Sequence, residues 1–173
     1  MVTVLQKAPD FRAPAVSGKG DTREVGLSDF AGKWVVLFFY PLDFTAVCPT
    51  EILELSKRAR EFEALGAVVL GCSVDSQHSH RAWIEKGLGE IHVPLVSDLT
   101  KSIARSYGAL LEDKGFATRA TYLIDPQGTV QYACYHSPAV GRSVSEILRV
   151  LEALQTGEKC PVDWRPGAKT LGR

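Results

Sequence analysis

The sequence predicts a mixed α/β sheet, and three observations carry that prediction. The run WVVLFFY at 34–40 is too continuously apolar for a strand with one face in water, so it belongs in the middle of a sheet. After it, strand-like and helix-like segments alternate. The alternation breaks at TYLIDPQGTVQYACY, where DPQG supplies a turn between two strand-like runs and predicts a hairpin.

Each element has its own signal. Pro41 ends the first strand. From Pro49 the apolar residues Ile52, Leu55, Ala59, Phe62 and Leu65 recur at steps of three and four, which predicts one helix stopped by Gly66. AVVLGCSV reads as a second buried strand, SHRAWIEKG as a helix, PLVSD as a short strand and LTKSIARSYG as a further helix. SVSEILRVLEALQTG closes the core as an amphipathic helix with Ile147, Leu148, Leu151 and Leu154 on one face and Gly157 beyond its end. Residues 1–30, with APDFRAP and SGKGD, read as a loop-rich preamble. The proline- and glycine-containing stretch 158–173 reads as an extended tail of a single domain spanning 1–173.

Composition limits the partners. Lys+Arg 20 balance Asp+Glu 20, so no global field recruits nucleic acid or an anionic membrane, and a small reactant is the better expectation. The N-terminus lacks a signal or transit pattern, and no apolar run approaches membrane-spanning length, so a cytoplasmic protein is expected. The cysteines at 48, 72, 134 and 160 include no CxxC pair and are too scattered for a disulfide-stapled scaffold, so each is judged by its surroundings.

Cys48 stands out. A free thiol with a pKa near ~8.5 is only slightly ionised at neutral pH, yet the thiolate is the nucleophile. Pro49 suits the first helical position, which places the sulfur at a helix N-terminus, where unpaired N–H groups and the helix dipole favour negative charge. The loop between a central strand and the following helix is also where open α/β sheets place ligands. Cys72 and Cys134 lie within strand-like runs and read as packing residues. His78 and His80 form an H-x-H without a third ligand at helical or hairpin spacing and read as surface histidines; His92 and His136 carry no signal. Gly87 and Gly89 lack dinucleotide-binding spacing.

Several segments together resemble the peroxiredoxins, in particular the typical two-cysteine group that includes the peroxidase component of bacterial alkyl hydroperoxide reductase. They are PLDFTAVCPTE, SVDSQHSHRAW, TYLIDPQG, VGRSVSEILRVLEALQ and CPVDWRPG, in the family's order along nearly the whole chain. The resemblance implies a thioredoxin-like fold with an N-terminal extension and a thiol peroxidase that needs no metal or prosthetic group. It implies that Cys48 attacks hydrogen peroxide or an alkyl hydroperoxide and becomes a sulfenic acid. Thr45 would hydrogen-bond the peroxide, Pro41 would shield the sulfur from water, and Arg119 would hold the thiolate and polarise the peroxide, oriented by Glu51. Cys160 matches the resolving cysteine, which implies an intersubunit disulfide reduced by thioredoxin or a flavoprotein reductase. Antiparallel homodimers, which in the family often assemble into decamers, are implied as well.

Two departures bear on that pattern. Ala46 stands where the family carries phenylalanine, which removes a large side chain from the pocket or a dimer-dimer contact and bears on oligomeric switching; the sequence ends at Leu171, Gly172 and Arg173 without the C-terminal helix and Tyr-Phe pair of peroxide-sensitive members, and from this second departure resistance to overoxidation is expected. The competing functions are a thiol-disulfide oxidoreductase, which would need a cysteine where Glu51 stands, and a holdase, which would survive Cys48→Ser.

Overall fold

The computed structural model describes residues 2–173 and divides into two compact units, Met1–Arg142 and Ser143–Arg173. In the first unit the chain runs β1 (Arg12–Val16), β2 (Thr22–Gly26), β3 (Trp34–Phe39), α1 (Cys48–Lys57), α2 (Ala59–Ala64), β4 (Ala67–Ser73) and α3 (Gln77–Trp83). A π-helical turn over Ile84–Leu88 follows, then β5 (Leu95–Ser97), α4 (Ser102–Tyr107), β6 (Leu110–Leu111), β7 (Phe116–Ala117), β8 (Arg119–Ile124) and β9 (Val130–His136).

The main sheet has seven strands in the order β2-β1-β5-β4-β3-β8-β9. As its composition predicts, β3 is central: it pairs parallel with β4 and antiparallel with β8, and residues from Val35 to Phe39 are buried. The predicted hairpin is β8 and β9. Its turn closes because Asp125 accepts the Gln127 and Thr129 backbone N–H groups, while Gly128 takes the left-handed conformation (φ 77°) that other residues avoid.

Two expectations about these elements need correction. The preamble contains an antiparallel hairpin, β1 with β2, and β1 also pairs with β5 and so widens the sheet. Both strands are short and flanked by proline or glycine, which hid the burial of Ala13, Ala15, Val16 and Val25. The helix after Cys48 is broken at Arg58, although Leu55, Ala59 and Phe62 remain buried across the break. The two-residue strands β6 and β7 are too short to leave a periodic signal.

The core around Phe39, Tyr107 and Tyr122 is aromatic, with ring centroids 5.0 to 5.9 Å apart. The phenols are not stranded there, since Tyr107 donates to the Pro9 carbonyl at 2.8 Å and Tyr122 to the Tyr107 carbonyl at 2.6 Å.

In the second unit, α5 (Val144–Gln155) starts at Ser143, whose side chain accepts the Glu146 N–H, and buries Val144, Ile147, Leu148 and Leu151. The tail is folded back rather than extended. Trp164 is buried and donates its indole N–H to the Ala168 carbonyl at 3.0 Å, and Lys159 exchanges backbone bonds with Leu171 and Gly172.

The approach of two loops yields a test. A Cβ on Gly18 would lie 1.4 Å from the Ile91 carbonyl oxygen, so Gly18→Ala forces backbone movement. A loss of more than about 2 kcal/mol in denaturant unfolding is expected.

Candidate functional site

Where β3 ends, Tyr40 and Pro41 are still buried, and the loop 41–47 then leads directly into α1. Cys48 is the first residue of α1, with Pro49 next to it, and its side chain is fully buried. The sulfur is therefore at a helix N-terminus, as expected. Arg119, the first residue of β8, reaches it from the strand beside β3, with Nη1 donating to Sγ at 3.3 Å.

The same Nη1 donates to Glu51 Oε2 at 2.6 Å, and Arg119 Nε donates to the Pro138 carbonyl at 2.8 Å. Glu51 lies three residues beyond Cys48 on α1 and is 4% exposed. Its second cation is Arg142, which carries no local signal of that role, although VGRS belongs to one of the matching segments. Arg142 donates Nε and its backbone N–H to Oε1, each at 2.8 Å, and Nη2 to Oε2 at 2.8 Å. Its Nη1 reaches the carbonyls of Phe39 and Ala120 at 2.9 Å, and its guanidinium lies 5.1 Å from the Phe38 ring centroid. Burial alone would push the Glu51 carboxyl up, but the hydrogen bonds and charge of Arg142, joined by the charge of Arg119, hold it below its ordinary value.

Counting charge gives the site its character. Two buried guanidiniums share one carboxylate, which leaves one positive charge uncompensated, and the sulfur of Cys48 is in hydrogen-bond contact with it.

Thr45 is exposed and donates its hydroxyl to the Leu42 carbonyl at 2.8 Å, which leaves its oxygen free to accept. Phe44 beside it is 59% exposed, has φ 55° and rests on Trp83 with centroids 5.9 Å apart. A bulky residue in the left-handed region needs firm anchorage on either side. Asp43 supplies it: its carboxylate accepts from Tyr40 at 2.9 Å and Ser79 at 2.7 Å and lies 2.9 Å from His80 Nδ1, while its N–H donates to Asp75.

His80 is thus not a surface histidine. It is fully buried, with Nε2 3.2 Å from the Val96 carbonyl, whereas His78 is exposed. The signal was present, since Ser76 caps α3 and the helix turns His80 inward four residues later, but one histidine in a polar segment does not show which face is covered.

Cys72 is buried, and burial first, with the charge of Asp98 second, pushes its thiol well above the ordinary value, so it packs as expected. Cys134 is half-buried on β9. Cys160, half-buried in the second unit, and the other cysteines are free thiols. Among the described residues, no cluster of three or more His, Cys, Asp or Glu side chains is placed to hold a metal ion, and no helix is long and apolar enough to cross a membrane.

A buried cysteine at a helix start, capped by an arginine that a buried carboxylate holds in place, defines a thiol-based enzyme. Residues 4–133 match the model of the AhpC/TSA family. The chain is 50% identical over 174 residues to a putative peroxiredoxin in the rubredoxin operon of Clostridium pasteurianum, covering 97% of this chain and 98% of that protein. It is 49% identical to peroxiredoxin-2 of Mus musculus, covering 96% and 88%. Among solved structures, the reduced 2-Cys peroxiredoxin of Plasmodium vivax superimposes with a TM-score of 0.95 at 43% identity, covering 98% and 93%. AhpC of Mycobacterium bovis gives 0.87 at 36% identity, covering 95% and 99%. The chain belongs to the AhpC/TSA family, the peroxiredoxins, which are thiol peroxidases with a thioredoxin-like fold.

Two substitutions test this network. His80→Ala removes one of three partners of the Asp43 carboxylate, and a loss of about 2 kcal/mol with faster proteolysis within 41–47 is expected. Glu51→Gln unpairs two buried cations, with about 3 kcal/mol lost at neutral pH. Because the folded carboxyl titrates below its ordinary value of 4.5, its contribution is complete above that value and disappears as pH falls through the folded one. The stability gap between wild type and Glu51→Gln should therefore narrow in unfolding curves taken from about pH 7 down to about pH 2.

Proposed function

We propose that this protein reduces hydrogen peroxide and alkyl hydroperoxides by a two-cysteine cycle. The observation that carries the reading is the contact between Arg119 Nη1 and Cys48 Sγ, held from behind by Glu51. The thiolate of Cys48 attacks one peroxide oxygen, the O–O bond breaks, and the departing oxygen takes a proton to leave as water or alcohol, with Cys48 left as sulfenic acid. Arg119 stays on the sulfur and the developing charge throughout, since its donors are fixed by Glu51 and the Pro138 carbonyl. Thr45 accepts the hydroperoxide proton with the oxygen lone pairs that its bond to Leu42 leaves free. Pro41, buried at the base of the loop, keeps water from the sulfur and offers no competing N–H.

Cys160 of a second subunit then condenses with the sulfenic acid, giving an intersubunit disulfide and water. Thioredoxin or a flavoprotein disulfide reductase restores both thiols. The reading includes a homodimer able to assemble into a decamer, and a cytoplasmic location, where thiols are kept reduced.

The test is a non-reducing gel after one equivalent of peroxide, together with peroxide consumption. Wild type is expected to give a covalent dimer that dithiothreitol reverses; Cys48→Ser and Cys160→Ser should each abolish it, and Cys48→Ser should also abolish peroxide consumption. A dimer that persists without Cys48, or peroxide consumption that survives its loss, overturns the reading.

A further inference from the structure

The two cysteines sit in opposite hydrogen-bonding environments. Cys48 meets a guanidinium donor, whereas the contacts of Cys160 are chiefly acceptors: its Sγ lies 3.7 Å from the Ala153 carbonyl and 3.8 Å from the Glu158 carbonyl. Ala153 belongs to the last turn of α5, where the helix dipole adds negative partial charge. A thiol can donate its hydrogen there, but a sulfur that has given up its hydrogen would face carbonyl oxygens alone. The exception is the hydroxyl of Thr156, 3.6 Å from the sulfur, with either atom able to act as donor.

That hydroxyl is already well placed. Thr156 caps α5, donates to the Ala153 carbonyl at 2.7 Å and accepts the Glu158 N–H at 3.1 Å, so one side chain fixes the helix end and the turn that leads to Cys160. The sulfur lies along an open groove of about 630 Å³ lined by Val150, Ala153, Leu154 and Val162, and is therefore approachable.

We infer that Thr156 is a positioning residue for the resolving sulfur: it accepts from the thiol at rest, then turns its hydroxyl hydrogen from Ala153 to the sulfur as negative charge develops during attack. The inference rests on the two-cysteine reading above. In the step it assists, the Cys160 sulfur bonds to the Cys48 sulfur and the S–O bond of the sulfenic acid breaks. The hydroxide leaves with the Cys160 proton as water; Cys160 is oxidised and Cys48 reduced to the disulfide level.

The experiment follows a single turnover. Protein receives one equivalent of hydrogen peroxide and is quenched at intervals with acid. The Cys48–Cys160 dimer is read on a non-reducing gel, and surviving sulfenic acid is trapped with dimedone. Loss of a hydrogen bond to a charged sulfur predicts a dimerisation rate about tenfold slower in Thr156→Val, with its pH profile displaced to higher pH and more dimedone adduct. Thr156→Ser, which keeps the hydroxyl, should stay within about twofold of wild type. Thermal melts check the fold, and Thr156→Ala takes the place of the valine variant should valine disturb the end of α5. Thr156→Val dimerising at the wild-type rate, or Thr156→Ser as slow as Thr156→Val, overturns the role of the hydroxyl while leaving the two-cysteine cycle intact. Absence of a wild-type Cys48–Cys160 bridge overturns the cycle itself, and the role of Thr156 with it.

Discussion

A carboxylate without access to water must be fully paired, and the pairing of Glu51 is the constraint on which this site depends. Its oxygens accept from Arg119 and from three donors of Arg142, which ties α1 to the start of β8 and to the segment that ends the first unit. Removing Glu51 strands two buried cations, so the carboxylate is the member that the geometry at Cys48 cannot lose. The arrangement also leaves a guanidinium N–H directed at sulfur, because the carboxylate cannot neutralise two cations by itself.

The loop before Cys48 is held with comparable firmness from its other side. Asp43 is gripped by Tyr40, Ser79 and His80, and Asp75 takes its backbone N–H. Between these anchors the chain carries Phe44 in a left-handed conformation and leaves Thr45 at the surface. A polar network beneath the loop lets the chain leave the sheet without losing register with the helix start, and confines solvent exposure to residues 44–46.

The two cysteines differ in the groups that surround them. A guanidinium donor faces the sulfur of Cys48, whereas two carbonyl acceptors and the Thr156 hydroxyl face that of Cys160. The difference follows from position on a helix. Cys48 opens α1, where N–H groups are unpaired, and Cys160 folds back on the end of α5, where carbonyls are.

Much of this was written in the sequence. The unbroken apolar run of β3, the DPQG turn and Pro49 beside Cys48 are local signals, and each fixed its element because strand burial, turn geometry and helix initiation are decided within a few residues. The matching segments likewise led to Cys48, Thr45, Glu51, Arg119 and Cys160. What only the tertiary structure decided are the partners across long separations: Arg142 on Glu51, His80 on Asp43, β1 beside β5 and the folded tail around Trp164. Nothing in a lone arginine or histidine states whether its face will be covered. Burial and charge pairing arise only when distant segments meet, and for these residues it is that meeting that assigns a role.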